Sequence, residues 1–433
     1  MISQSFWGSR PSASGPYLWR AAASMVVLAV LTACSLDKLL TVDAPSRVLP
    51  ADLENPANAR VIVNGVVADF ECAFGSYTLV GGTAGEEFHD ASIASEWWVI
   101  DRRSYGPSGS IYATAACTGG SGGVYVPLST ARWQADNARR LLGGWSDAEV
   151  PGRMDLLAKA GAYAGYSFLL LGEAMCSAAA DGGPELSRDQ LFTLAEQRFT
   201  DAITAATTSR SDSIRYLAFA GRARSRLNLK RLADAAADAR QVPPGFIWNA
   251  TFTASDPLRE NQLYVRNIRA LNVTVDEPYR SMSFAGVPDP RVKLTLETKR
   301  KGPDQETILY YQNKYPDAGS SIPMARYEEA QLVIAEADGG ATAVSIINQL
   351  HDKAGLPHFN STDPAVIKQQ IIYERRAELF LESQHLGDLI RYGLPLSPAA
   401  NAPYQRQKGG VYGTQLCFPL PDIERLNNPN IGG

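Results

Sequence analysis

The chain has 433 residues, of which 45% are hydrophobic and 20% are charged, and its formal net charge is −4. This is an ordinary globular composition, long enough for one large domain or two. The weakly acidic balance, without long runs of like charge, argues against nucleic acid as a partner.

The N-terminus has the features of an export signal. Arg10 and Arg20 precede the apolar run AAASMVVLAVL at 21–31. That run is too short to span a bilayer, but it suits the core of a signal peptide. No later segment is apolar enough to span a membrane. We therefore expect a signal peptide at 1–33 and a body outside the cytoplasm.

The end of the apolar run resembles the bacterial lipobox, because LTAC at 31–34 places small residues before a cysteine. The resemblance implies cleavage before Cys34 and lipidation of its thiol, with acyl chains that hold the protein at a membrane. The alternative is an ordinary signal peptide whose first mature residue is a cysteine. Residues 34–60, rich in Pro and without periodicity, are predicted to be a lipidated tether.

The remaining cysteines are even in number: Cys72, Cys117, Cys176 and Cys417. Outside the cytoplasm an even count favours disulfides, and four cysteines allow three pairings. Our expectation is Cys72–Cys117 and Cys176–Cys417. Metal binding is not expected, because the chain has no CxxC or HxxxH spacing.

The first half of the mature chain is predicted to be helical after a loop region. A first helix is expected around 61–70, followed by ordered loops at 72–123, which are rich in Gly, Ser and aromatic residues. From there to residue 245 the apolar residues recur with alternating spacings of 3 and 4, typical of amphipathic helices. The stripes are Leu128, Ala131, Ala135, Ala138, Leu142 and Trp145, then Leu157, Ala160, Ala164, Ser167, Leu171 and Ala174, then Ala195, Phe199, Ala202 and Ala206.

The segment after these stripes, IRYLAFAGRARSRLNLKRLADAAADARQVPP at 214–244, resembles a tetratricopeptide repeat. Gly221 and Ala233 are twelve residues apart, as expected for the repeat's two tight helix contacts, while Arg224 stands where the repeat usually has an aromatic residue. Stacked helix pairs of this kind bury a continuous core. We therefore expect residues 61–245 to be a helical repeat part.

The second half is predicted to begin with an irregular insert of loops and short strands at 246–322, because turn residues alternate there with short apolar runs. Helices return at 323–433. Asp363 as N-cap and Pro364 at the first helical position mark one helix start, and Gly393 is placed to end that helix.

The helix that follows Pro364 is unusually charged: it reads IIYERRAELFLESQHLGDLIRYG at 371–393. Glu374, Glu378 and Glu382 are each four apart, which is unfavourable for like charges unless they are paired. We expect a network with arginines, backbone N–H groups or a neighbouring helix end. Catalysis of glycoside hydrolysis is disfavoured, because it needs carboxylates across a cleft rather than side by side on one helix.

This charged segment resembles the C-terminal signature of the SusD/RagB family, with its Glu-Arg-Arg, Phe-x-Glu and Asp-Leu-x-Arg elements. Further segments resemble that family in the same order: DPR at 289–291, ARYEEAQLVIAEA at 325–337, INQLHDKAGLP at 347–357 and FPLPDIERLNNPN at 418–430. Ser383 and Gln384 replace a glycine that is usual in the family, so the helix is predicted to run on through them.

The resemblance implies a mostly α fold of tetratricopeptide-repeat-like helix pairs, a SusD-like α superhelix with irregular loop and short-strand insertions, in one integrated domain. It also implies a non-catalytic, lipid-anchored lipoprotein on the outer membrane surface. Such a protein captures a nutrient, an oligosaccharide or a peptide, and hands it to a SusC-like TonB-dependent β-barrel transporter, without a cofactor. The alternative is a periplasm-facing repeat-type scaffold or assembly lipoprotein.

Sugar binding combines flat aromatic faces with polar side chains on loops. The candidate ligand residues are Trp97, Trp98, Tyr105 and Tyr311, with Tyr310, Tyr315 and Trp248 as a second set. The alternative for each is a place in the core; in an extended segment at most one of the adjacent tryptophans packs inward. Glu86, Glu87, His89 and Asp90 form a weak candidate for a cation site.

Overall fold

The computed structural model describes residues 54–117, 122–405 and 407–431. The predicted signal peptide, the lipidation site Cys34 and most of the predicted tether lie outside these residues. Among the described residues, none of the helices combines the length and the apolar character that crossing a bilayer requires.

Helices make up most of the described chain. They are α1 (Ala59–Ala84), α2 (Ser95–Asp101), α3 (Ile111–Thr114), α4 (Tyr125–Gly144), α5 (Arg153–Ala174), α6 (Arg188–Ser209), α7 (Asp212–Asn228), α8 (Leu232–Ala239), α9 (Gln262–Tyr264), α10 (Glu277–Arg280), α11 (Tyr327–Asp338), α12 (Gly340–Ala354), α13 (Pro364–Glu378), α14 (His385–Tyr392) and α15 (Asp422–Asn427). Short 3₁₀ segments at Pro56–Asn58 and Pro257–Arg259 and a π-helical turn at Val265–Arg269 complete the helical part.

The long helices stack in chain order. α1 and α5 flank α4, and each helix from α4 to α8 packs on the next one along the chain. α8 then packs on α11, and α11 contacts both α12 and α13. The helix-pair architecture predicted from the sequence is therefore confirmed.

The predicted apolar stripes form the seams of this stack. Leu128, Ala131 and Ala135 on α4 are fully buried, and α5 is buried on almost every side. Glycines bring the backbones close: an ideal Cβ on Gly165 would lie 2.7 Å from the Phe199 ring, and Gly221 packs on the same ring. The predicted tight contact at Gly221 is confirmed, whereas Ala233 is exposed, because α8 buries Ala235, Ala236 and Ala239 instead.

α1 is longer than predicted, because residues 72–84 continue the helix rather than beginning a loop. The small residues that suggested a loop allow close packing, as at Gly75, which lies against the Phe252 ring. Thr78 and Thr83 donate their hydroxyls to the carbonyls four residues earlier, at 2.7 and 2.9 Å. A run of small residues buried on all sides therefore serves helix packing here.

The insert between α8 and α11 contains short strands, as predicted. The strands of the described residues are β1 (Phe88–Asp90), β2 (Ser177–Ala178), β3 (Leu186–Ser187), β4 (Ile247–Ala250), β5 (Val273–Val275), β6 (Ser283–Phe284), β7 (Val287–Pro288), β8 (Leu294–Lys301), β9 (Ile308–Gln312) and β10 (Ile322–Arg326). They pair two by two and antiparallel: β1 with β5, β2 with β3, β4 with β10, β6 with β7, and β8 with β9 as a hairpin.

The charged segment is broken into two helices, so the prediction that it runs on through Ser383 and Gln384 was wrong. Leu381 and Ser383 have φ of 56° and 68°, and the residues around them bond to other parts of the chain instead of to the helix. Lys314 Nζ donates to the Phe380 carbonyl at 2.8 Å, and Glu87 accepts the Leu381 N–H at 2.6 Å. These tertiary bonds hold the break without a glycine.

The described part of the chain contains two disulfide bonds, Cys72–Cys117 and Cys176–Cys417. The first joins α1 to the segment after α3. The second joins the end of α5 to the chain before α15, where Cys176 N also donates to the Phe418 carbonyl at 2.9 Å. The bonds therefore tie the aromatic-rich region and the C-terminal segment to the helical stack.

Candidate functional site

The three signature glutamates are bound by cations from the insert and from β10. Glu374 accepts from Arg291 Nη1 at 2.6 Å, and Glu378 accepts from Arg326 Nη1 at 2.7 Å. Glu382 accepts from Lys314 Nζ at 2.6 Å. Burial opposes ionisation of Glu378, but Arg326 and Arg291 hold its pKa below the usual value. The network with arginines that the charge spacing predicted is therefore present, and Glu378 lacks the raised pKa that a general acid for glycoside hydrolysis needs.

The second half of the signature is also ion-paired. Arg375 Nε lies 2.7 Å from Asp388 Oδ2, and Arg391 Nη2 lies 2.8 Å from Asp388 Oδ1. Although burial opposes it, these two guanidinium groups lower the pKa of Asp388 to about 2. The carboxylate is therefore ionised across the physiological range and joins α13 to α14.

The adjacent tryptophans lie on α2 rather than on an extended segment, and they point in different directions. Trp97 is buried, with the Arg266 guanidinium 4.6 Å from its ring centroid. Trp98 is half-buried, and its Nε1 donates to the Ser92 carbonyl at 3.1 Å. The neighbouring Ile93 is 72% exposed. Trp98 is thus the member of the pair that a ligand can reach.

Tyr105 belongs to the core, which removes it from the candidate ligand residues. Its ring centroid lies 4.5 Å from that of Phe418, and its hydroxyl donates to the Gln415 carbonyl at 2.8 Å. Both faces of the Tyr105 and Trp97 rings are covered by protein. Neither ring can stack on a sugar in this conformation.

Two loops from distant parts of the chain meet beside Trp98. The hairpin turn 302–307 reaches β1 through Asp304 N, which donates to the Ala91 carbonyl at 3.1 Å. Gln405 Nε2 donates to Thr307 Oγ1 at 3.1 Å. We define Ile93, Trp98, this turn and the loop 407–412 as the Trp98 face.

A buried lysine fastens these loops together. Lys408 Nζ lies 2.7 Å from Asp90 Oδ2 and 3.1 Å from Asp304 Oδ2, and 5.9 Å from the centroid of the Trp98 ring. Burial raises the pKa of Asp90 to about 6, and Lys408 opposes that rise. One cation thus bridges β1, the hairpin turn and the C-terminal loop, which makes the face preorganised.

The layer below the face is also hydrogen-bonded. His89 Nδ1 lies 3.0 Å from Asp101 Oδ2, and Tyr404 donates its hydroxyl to the same oxygen at 2.6 Å. The Tyr404 ring packs edge-on against Tyr412, with ring centroids 5.2 Å apart. Residues about 300 positions apart in the sequence therefore form the hydrogen-bonded layer that supports the Trp98 face.

Tyr311 lies on the hairpin strand β9, away from the turn. Its hydroxyl donates to Glu297 Oε2 at 2.7 Å and accepts from Arg300 Nη2 at 3.0 Å. The ring is half-buried. Among the second set of candidate ligand residues, Tyr315 is buried, and its hydroxyl donates to the Leu381 carbonyl.

The carboxylates of the weak cation-site candidate have protein partners. Glu86 Oε1 accepts from Arg103 Nη1 at 3.2 Å and from Ser397 N at 2.7 Å. Glu87 binds the Leu381 N–H, and Asp90 binds Lys408. Over the described ranges, no cluster of three or more His, Cys, Asp or Glu side chains is placed to hold a metal ion.

Comparison with known proteins agrees with this geometry. Residues 296–416 match the SusD family. The starch-binding protein SusD of Bacteroides thetaiotaomicron is 29% identical over 171 residues, which cover 35% of this chain and 30% of that protein. The matched segment thus spans less than a third of the relative's length.

Solved structures share the fold over most of the chain. A SusD superfamily protein of Bacteroides fragilis is 14% identical and has a TM-score of 0.64, covering 88% of this chain and 99% of its own. A SusD-like carbohydrate binding protein of Bacteroides vulgatus is 16% identical and has a TM-score of 0.62, covering 87% and 97%.

The stacked helix pairs, the broken charged signature and the strand insert together define a SusD-like fold. The resemblance to the SusD/RagB family seen in the sequence is thereby confirmed: residues 296–416 match the SusD family in sequence, and the fold matches that of SusD superfamily structures over most of the chain.

Proposed function

We propose that this protein is a non-catalytic capture protein that binds an oligosaccharide at the Trp98 face and hands it to a TonB-dependent transporter. The observation that carries the proposal is the half-exposed indole of Trp98 between two loops that Lys408 fastens. The names of the matched proteins, a starch-binding protein and a carbohydrate binding protein, support a saccharide as the ligand class.

The face has the two kinds of group that sugar recognition needs. The accessible part of the half-buried Trp98 ring and the exposed Ile93 offer apolar surface for the C–H faces of a sugar ring. The turn 302–307 and the loop 407–412 supply backbone and side-chain groups that can bond hydroxyls. Because the loops are fastened before the ligand arrives, binding costs little ordering entropy.

The proposal extends to the location of the protein. Lipidation at Cys34 would anchor the body, and a cell-surface position on the outer membrane would let the Trp98 face meet soluble glycans before transport. The lipobox and the family resemblance support this location and the SusC-like partner.

The binding site is tested by titrating the purified protein with a panel of soluble oligosaccharides that begins with maltoheptaose. We expect one class to bind, and Trp98→Ala to weaken that binding by about tenfold or more, since central aromatic contacts carry most of an interface's energy.

Trp133→Ala is the matched control, because Trp133 is another tryptophan, 49% exposed, and lies on α4 outside the face. It should leave binding unchanged. Equal losses in both variants, or full binding by Trp98→Ala, would show that the ligand sits elsewhere. Hydrolysis of the bound glycan by the pure protein would contradict the non-catalytic assignment.

A further inference from the structure

A cavity of about 410 Å³ lies where the ends of several helices meet. It is lined by the α7–α8 turn, the α11–α12 turn, the first turns of α13 and the last residues of α14. None of its lining residues belongs to the Trp98 face. We call it the α13 cavity, and its volume is within the range of small-molecule sites.

The floor of the α13 cavity is apolar. Leu227, Ile367 and Ile371 line it, each at most 3% exposed, and Leu232 stands at the edge, 37% exposed. A ligand seated against this floor is best matched by a branched or ring-shaped apolar body. A purely polar ligand would leave the floor unmatched.

The polar groups of the cavity leave an excess of positive charge. Its one lining carboxylate, Glu336, is already bound by the Arg391 guanidinium and by the Tyr392 hydroxyl. Lys230 and Lys368 also line the cavity, and no carboxylate oxygen of the described residues lies within 4 Å of either ammonium group. Lys368 Nζ lies 6.0 Å from the centroid of the Tyr392 ring.

The N-terminus of α12 adds to the positive electrostatic potential of the cavity. Gly339 and Gly340 line the cavity, and no side chain caps the first turn of this 15-residue helix. The first backbone N–H groups of an uncapped helix carry partial positive charge. The apolar floor and the cationic rim therefore call for the same kind of molecule, one with an apolar body and one anionic end.

We infer that the α13 cavity binds a small carboxylic acid, with its branched apolar body on Leu227, Ile367 and Ile371 and its carboxylate near Lys230 and Lys368. This site is independent of the proposed glycan face, since the two share no residue. It gives the protein a second, chemically different ligand.

The probe is 4-methylpentanoate, which combines a branched body with a carboxylate, titrated into the mature protein by calorimetry and by saturation-transfer NMR. Two matched probes test the apolar contact and the charge separately. The amide 4-methylpentanamide keeps the branched apolar body but has no charge, and acetate keeps the carboxylate but has no branched apolar body. We expect the acid to bind at least about tenfold more tightly than either.

The variant Lys230→Met/Lys368→Met should weaken acid binding by about tenfold or more. Both side chains are exposed, so the variant should fold, and an unchanged affinity for oligosaccharide at the Trp98 face would check that. Lys299→Met/Lys301→Met, on the exposed hairpin strand β8, is the charge-matched control and should leave acid binding unchanged. Equal binding of acid and amide, full binding by the double variant, or no binding of the acid would each overturn the inference.

Discussion

Glu87 shows how a single buried carboxyl can shape a chain reversal. One oxygen accepts the Leu381 N–H at the break between α13 and α14, and the other has no hydrogen-bond partner among the described residues. No lysine or arginine nitrogen of the described residues lies within 4 Å of this carboxylate. Burial raises the pKa of Glu87 to about 7, and the hydrogen bond from Leu381 only partly offsets that rise.

This carboxyl should make the protein more stable at mildly acidic pH. Because the folded pKa is above the unfolded one, near 4.3, the folded state binds more protons between the two values, and stability falls as pH rises through 7. Glu87→Gln keeps an oxygen for the Leu381 N–H and removes the charge. We expect it to raise the free energy of unfolding by on the order of 3 kcal/mol at pH 8 and by only about 1 kcal/mol at pH 5.

Urea denaturation at pH 5 and pH 8 measures this effect. Glu306→Gln, at an exposed carboxylate in the hairpin turn, is the control and should change neither value. A destabilised Glu87→Gln protein at pH 8 would mean that the native carboxylate is ionised and favourably bound.

At the scale of elements, the stack is held by glycines at helix crossings. Gly165 on α5 and Gly221 on α7 both face the Phe199 ring of α6, so one aromatic side chain fills the space that two missing Cβ atoms leave. The repeat-like spacing predicted the contact at Gly221 from the sequence. The aromatic partner could not be predicted, because helix crossings depend on tertiary packing.

Gly221→Ala should therefore destabilise the stack. Its Cβ would overlap the Phe199 ring, and overpacking of this kind costs about 1–3 kcal/mol, more than the helix propensity gained. The free energy of unfolding from urea titration checks this.

Gly143→Ala is the matched control in α4, where nothing lies within 4 Å of the added Cβ. It should be neutral or stabilising by about 0.5–1 kcal/mol. If both alanine variants were equally stable, the α6 ring would have room to move, and the close contact would not be a constraint.

The sequence predicted which segments form helices better than it predicted where those helices end. The periodic stripes of α4, α5 and α6 were found because one face repeats over many turns. The extension of α1 to Ala84 was missed, because a buried Gly/Ser/Thr run has the composition of a loop. The break after Glu378 was missed, because the groups that hold it, Lys314 and Glu87, lie far away in the sequence.

At the scale of the whole molecule, the candidate site is a product of long-range contacts. The sequence singled out Trp98 from composition, but it also selected the buried Trp97 and Tyr105, because local pattern does not show which ring faces water. Lys408 and Gln405 were missed altogether. Each bonds to β1 across more than 300 residues, a distance at which a single sequence carries no pattern.

In the proposed function, the helical stack is a rigid support for a capture face beside a transporter. Hand-over of the ligand requires a stable partner at the membrane. The alternative is a periplasm-facing scaffold lipoprotein, which uses its helix pairs to hold assembly proteins.

The most direct test is to purify the lipidated protein from detergent-extracted outer membranes and to identify its companions by mass spectrometry. The capture account predicts a TonB-dependent β-barrel in a one-to-one ratio, retained by Trp98→Ala, since that variant removes only the ligand contact. Recovery without a β-barrel, together with periplasmic assembly proteins, would contradict it.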